Sequence, residues 1–213
     1  AYKDRYLAEF NIGATGSENF EKNSRFGVFP SMSVGWVVSE ESFFSGLKQA
    51  ISLLKIRGSY GTVGNDRIGY GERFPYVTTY AGGNGAAFGY VPQGYGGIFQ
   101  SKIGVQGLSW EVATKNNIGL DLEFFGKLNM NIDFFKERRE KILVARSSQP
   151  AFLGTTAGIY SNLGIMDNKG IDGALDYSDQ IGDLKFNLYG TFTYASNKIV
   201  ENDEPIPLYP WLS

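Results

Sequence analysis

The sequence predicts an all-β protein: an antiparallel up-and-down sheet with one short helix placed at a turn. Three observations predict it. Seven stretches alternate apolar and polar residues with a period of two, which a strand with two unlike faces requires. Glycine is frequent, at 28 of 213 residues, and aromatics reach 15%, a composition of many turns between strands rather than of disorder. The connections between the alternating stretches run long, short, long, short along the chain.

The elements follow in order. In Arg5–Thr15, Tyr6, Ala8, Phe10, Ile12 and Ala14 share one face, and Glu9, Asn11 and Thr15 the other. A polar loop, 16–26, leads to a second strand over Gly27–Val38, where Met32, Val34, Trp36 and Val38 lie together. The period then changes. Phe43, Phe44, Leu47, Ala50, Ile51 and Leu54 recur at helical spacing after Ser39, a good N-cap, with Glu40 and Glu41 at the positive end of the dipole. A short amphipathic helix is expected over Ser39–Ser52, weakened by Gly46 by about 1 kcal/mol relative to alanine. The third strand, Leu54–Val63, sets Leu54, Ile56 and Tyr60 against Lys55, Arg57 and Ser59. The segment from Asn65 to Ser109, rich in glycine, tyrosine and asparagine, is too long for an ordinary connection and reads as functional, with room for a short hairpin.

The fourth strand, Val112–Phe124, carries Ile118, Leu120, Leu122 and Phe124 opposite Lys115, Asn117, Asp121 and Glu123. A Gly126-Lys127 turn leads into Leu128–Phe134, after which the alternation fades in KERREK. A long loop over Ile142–Ile165 precedes a sixth strand, Gly170–Tyr177. A turn at SDQIGD joins this to the seventh, Leu184–Tyr194. In an up-and-down sheet the long loops all fall at one end and the short turns at the other, as in outer-membrane barrels.

Composition narrows the function. The net charge of −2 offers no basic field to nucleic acid. With neither cysteine nor histidine, the chain lacks thiolate ligands, disulfides, cysteine nucleophiles and the commonest metal ligand and general base. No metal and no cofactor is expected. No apolar run approaches the ~18 residues of a membrane helix. A membrane barrel stays open, because its strands are only half apolar. So does a soluble β-sandwich, whose apolar face would be its core. Strands of about 9–12 residues suit a tilted membrane strand of about 9–11 better than the ordinary strand of about 5–6. Trp36, Tyr60, Phe124, Tyr177 and Tyr194 lie toward strand ends, as aromatic girdles do.

Several stretches go beyond rhythm. RFGVFPSMSVGWVVSEESFF, LLKIRGSYGTVGNDRIGYG, LSWEVATKNNIGLDLEFFGKLNMNIDFFKERREKILV and NLGIMDNKGIDGALDYSDQIGDLKFNLYGTFTYASNKIV resemble, in order and approximate spacing, the C-terminal half of the barrel of SusC/RagA-like TonB-dependent transporters of Bacteroidota. That resemblance implies a transmembrane barrel of about 22 strands with an internal plug. It implies import of oligosaccharides or peptides under a SusD-like surface lipoprotein, and energy from the TonB-ExbB-ExbD complex. It also implies that Ser39–Ser52 is a periplasmic turn and that the apolar faces meet outer-membrane lipid. Residues 1–213 then read as part of a single barrel domain, because seven strands cannot close such a barrel and open edges cannot sit in lipid. The plug and the remaining strands are expected elsewhere in a longer polypeptide.

No catalytic constellation stands out. Asp121 and Glu123 share a strand face about 7 Å apart, within range of a glycosidase pair, but such residues also suit a polar lumen. The substrate candidates are Arg67, Tyr70, Arg73, Tyr76, Tyr80, Tyr90 and Tyr95 of the long loop, whose flat faces and hydrogen-bonding tips suit sugars or peptides. Lys55, Arg57, Asn117, Asp121 and Glu123 are expected to face the lumen, toward substrate or plug. The competing readings are a soluble carbohydrate-binding β-sandwich and an enzyme working through carboxylates alone.

Overall fold

The structure is a computed structural model describing residues 1–67, 73–147 and 157–204. Nine strands form in chain order: β1 (Tyr6–Gly16), β2 (Phe26–Val37), β3 (Ile51–Asn65), β4 (Thr79–Phe88), β5 (Gln93–Lys102), β6 (Glu111–Phe124), β7 (Leu128–Ala145), β8 (Tyr160–Ile181) and β9 (Leu184–Glu201). Seven make one antiparallel sheet in the order β1-β2-β3-β6-β7-β8-β9. The expected hairpin in the long loop is β4–β5, a separate two-stranded sheet.

The register aligns the alternation of all seven strands. Tyr6 pairs with Trp36, Trp36 with Ile56, Ile56 with Leu120, Leu120 with Ile132, Ile132 with Gly173 and Gly173 with Phe192. The next row runs Ala8, Val34, Gly58, Ile118, Phe134, Ile171 and Tyr194. Every residue in these two rows is apolar or glycine or an aromatic with an apolar body. Ile118 is 64% exposed, Phe134 56% and Tyr194 61%. The buried hydrophobic residues Phe20, Val38, Phe44, Val105, Leu108, Trp110 and Ala113 all lie off these rows. A soluble sandwich needs a second sheet packed on the apolar face; among the described residues there is none. An uncovered apolar surface of this extent marks contact with something outside the chain.

Several boundaries differ from the expected ones. β7 continues through KERREK to Ala145, and β8 begins at Tyr160, so the two grow to 18 and 22 residues. Beyond Phe134 and Ile171 the apolar face becomes charged, and the apolar signal vanishes while the ladder continues: Lys136 pairs with Lys169 and Arg138 with Asp167. The SDQI segment is likewise strand, and Gly182-Asp183 alone turns the chain. Gly182, at φ +60°, occupies the first central position of this two-residue hairpin loop, where a left-handed residue is wanted.

The predicted helix at Ser39–Ser52 does not form. Two single 3-10 turns, Val38–Glu40 and Ser42–Phe44, are separated by an extended Glu41. Backbone bonds step on by threes, from Glu41 N–H to Val38, Phe44 to Glu41, Leu47 to Phe44 and Ala50 to Leu47. Two forces override the helical spacing. Ile51 and Leu54 are drawn into β3, and Glu41 is held by side chains of β1 and β2. Phe43 and Leu47 are left exposed.

Among the described residues, the compact apolar core sits at the long-loop end. Phe20 from the β1–β2 loop, Val105, Leu108 and Trp110 are buried together, with Phe29, Tyr76, Val112, Leu143 and Tyr160 against them. Trp110 lies 4.8 Å from the Phe20 ring and 5.5 Å from Phe29, and its indole N–H donates to the Ser24 carbonyl at 3.1 Å. Gly64 makes space for this cluster: a Cβ there would fall 1.9 Å from the Phe29 ring. Trp110→Ala should therefore destabilise the loop end by about 3–5 kcal/mol. Limited proteolysis of the whole barrel in detergent is expected to cut the 17–25 and 103–110 loops sooner in this variant than in the wild type.

Candidate functional site

The face opposite the apolar rows carries a linked set of charges. Arg57 on β3 stands at its centre. Its Nε donates to Asp121 Oδ1 at 3.1 Å on β6, and its Nη2 to Asp133 Oδ2 at 2.6 Å on β7. Lys55 Nζ is 3.8 Å from Asp121, and Asn131 Nδ2 donates to Asp121 Oδ1 at 2.9 Å. One guanidinium thus ties three neighbouring strands, using the planar fork that suits paired carboxylates. Gly119, the register partner of Arg57, gives the guanidinium its place; a Cβ there would lie 2.4 Å from Arg57 Cζ. Toward the long-loop end, Glu137 takes Lys115 at 3.4 Å and Arg139, which also approaches Glu111 at 4.0 Å.

Lys55, Arg57, Asn117, Asp121 and Glu123 are all on this face, brought there by the register Lys55–Asp121, Arg57–Gly119 and Ser59–Asn117. Beside them is a cleft of about 470 Å³ lined by Glu9, Ser33, Lys55, Arg57, Ser59 and Asn117 among others. Asn117 Oδ1 and Asp133 Oδ1 are buried acceptors without a hydrogen-bond donor among the described residues. Asp121 is committed to Lys55, Arg57 and Asn131, and Glu123 lies one register step away opposite Leu53.

The loop candidates separate. Tyr80, Tyr90 and Tyr95 are exposed on the β4–β5 hairpin, Tyr90 fully so at its tip. Tyr95 rests against Phe88, ring centroids 6.1 Å apart, and donates to Gln93 at 3.3 Å. Tyr76 packs on the Phe20–Trp110 core instead. Arg73 reaches across to Glu18 at 2.9 Å and lies over the Phe74 ring. Arg67 is exposed, its backbone N–H bound by Asn65 Oδ1. Tyr70 lies outside the described residues.

Sequence reasoning missed two groups. Asp133 and Asn131 were legible as polar-face residues, but their partnership with Arg57 and Asp121 depends on register. Glu41, expected at the positive end of a helix dipole, instead accepts from Arg5 Nη1 at 3.1 Å, Tyr6 Oη at 2.6 Å and Trp36 Nε1 at 3.2 Å. The hydroxyl of Tyr6, then the indole of Trp36, hold its carboxyl below the usual carboxylate range.

A half-charged, half-apolar sheet with one face bare defines the wall of a transmembrane β-barrel. The comparisons give the family: residues 2–211 match the TonB dependent receptor-like β-barrel family, and the chain belongs to it. It is 30% identical over 200 residues to TonB-dependent receptor P39 of Formosa agariphila, covering 92% of this chain and 18% of that protein. It is 29% identical over 202 residues to TonB-dependent receptor SusC of Bacteroides thetaiotaomicron, covering 93% of this chain and 20% of SusC. Among solved structures it is similar to the RagAB peptide importer in its closed-closed state, with a TM-score of 0.77 at 24% identity, over 97% of this chain and 22% of that one. The chain therefore spans about a fifth of the length of these relatives.

Two outcomes are expected. Arg57→Ala should cost about 1–2 kcal/mol, since the pairs are partly solvated. R57A/D133N should cost less than R57A, because it no longer strands Asp133; urea unfolding of the whole barrel in detergent measures both. For Glu41 the folded pKa is depressed, so its contribution is present above the unfolded value and lost as pH falls through the folded one. The stability gap between wild type and E41Q should close on acidification below the usual carboxylate range.

Proposed function

We propose that this segment is part of the barrel wall of a TonB-dependent outer-membrane importer of large nutrients, oligosaccharides or peptides. The observation that carries the reading is the unbroken apolar face across seven strands, backed by a linked polar face. Lipid takes the apolar face, and the Lys55–Arg57–Asp121–Asp133 face lines the lumen. The 38–50 turn lies in the periplasm, and the long loops lie outside the cell.

The remaining parts belong to the longer polypeptide and its assembly. A plug inside the lumen is pulled by the TonB-ExbB-ExbD complex, and a SusD-like lipoprotein closes over the loops. The relatives named SusC and the RagAB peptide importer support this reading. The β4–β5 hairpin presents Tyr80, Tyr90 and Tyr95 to the lipoprotein or to substrate, with Arg67, Tyr70 and Arg73 in the same loop. A tyrosine combines a stacking face with a polar tip, which serves a sugar ring or a peptide equally.

In the complete transporter, Y80A/Y90A/Y95A is expected to lower uptake of labelled nutrient about tenfold or more, with the amount of folded barrel in the outer membrane unchanged. Uptake equal to wild type would remove the hairpin from the substrate path. Unimpaired growth of a strain lacking the transporter on every oligosaccharide and peptide source supplied would remove the importer reading itself.

A further inference from the structure

The apolar face ends abruptly, and what lies just past its end is not inert. Beyond the row Ile118–Phe134–Ile171–Tyr194, the next row on the same face is Asn116, Lys136, Lys169 and Ser196. The one after is Thr114, Arg138, Asp167 and Lys198. Four cations thus stand in two rows against one acid, Asp167. Arg138 is already engaged, with Asp167 at 3.4 Å and with Glu140, one row further out, at 2.9 Å. Among the described residues, the side chains of Lys136, Lys169 and Lys198 make no hydrogen bond or ion pair. All three are exposed.

Lys136 and Lys169 are direct cross-strand partners. Like charges placed opposite each other destabilise a sheet, so the pair calls for an anion between the two ammonium groups. Lys198 sits diagonally beside Lys169 on the next strand, close enough to join them. The exposed rings of Phe134 and Tyr194 and the side chain of Ile171 lie two residues nearer the membrane, about 7 Å away. A ligand that fits has a phosphate at one end and acyl chains at the other.

We propose that Lys136, Lys169 and Lys198 bind the phosphate of a phosphorylated lipid in the outer leaflet, with its acyl chains on the Phe134–Ile171–Tyr194 row. The inference rests on the orientation given under Proposed function, which sets this end of the strands outside the cell. Lysine is a compact point charge that binds phosphate without needing a bidentate match. Its long stem lets the charge rise to the headgroups while its methylenes stay over apolar surface. Charge on the lipid-facing side is tolerated at this height and costly at the bilayer centre.

The test uses the complete transporter in detergent, titrated with purified lipid A and followed by native mass spectrometry. K136Q/K169Q/K198Q is expected to lower lipid A occupancy about tenfold or more, while K136R/K169R/K198R retains it. Neutral phosphatidylcholine should bind wild type and the glutamine variant alike, and inorganic phosphate at the lipid's concentration should not displace lipid A. Equal lipid A occupancy in wild type and glutamine variant overturns the proposal, as does displacement by free phosphate. V91C at the hairpin tip, compared with the parent transporter lacking that substitution, reports orientation through an impermeant thiol reagent on whole cells. Failure to label sinks the orientation and this inference together. Labelling with unchanged lipid A occupancy sinks the inference alone.

Discussion

Register is the constraint on which the rest of this structure depends. A strand's side chains alternate with a period of two, so a slip of one residue anywhere would throw apolar groups among the ion pairs. Over their central spans seven strands keep a single phase through six pairings, and the register shifts fall near strand ends, at Ile51/Leu53, Arg139–Leu143 and Ile165/Met166. The short turns help to hold that phase. Phe125 and Gly126 take left-handed backbone angles in succession, and Gly126 N–H is fixed by Ser52 Oγ at 3.1 Å from the neighbouring hairpin. At the β2–β3 turn, Glu41 gathers donors from Arg5, from Tyr6 of β1 and from Trp36 of β2.

With phase fixed, the two faces take different work. The apolar face is uniform and needs no specific partner, as a surface made for lipid would be. The polar face is specific. Arg57 ties β3, β6 and β7 through two carboxylates, a cross-strand link acting in addition to the backbone ladder. Removing a whole strand from such a sheet would leave backbone groups unsatisfied, which hydrocarbon does not forgive. The strands β1 and β9 that edge this sheet would each need a paired neighbour in hydrocarbon.

The two ends of the sheet differ in kind. The short-turn end is closed by hydrogen bonds and 3-10 turns. The other end has a true apolar core, in which Trp110 and Phe20 bind the β1–β2 loop to the chain entering β6. That core gives the β4–β5 hairpin a firm base, and the exposed tyrosines project from it.

The sequence by itself determined which residues share a face, because period-two alternation is a local property that survives any arrangement of strands. It placed Lys55, Arg57, Asn117, Asp121 and Glu123 together and located the three short connections of the main sheet to within a few residues. It could not determine where β7 stops or β8 begins, because past Phe134 and Ile171 charge replaces apolar residues on the apolar face and hydropathy no longer alternates. Nor could it reveal that helical spacing after Ser39 would yield to 3-10 turns, since the pull of β3 on Ile51 and of three donors on Glu41 is tertiary. Tyr76 looked like its fellow tyrosines and became core, while Asp133 became the partner of Arg57. Such pairings join residues far apart in the chain, and only the register that brings strands side by side decides them.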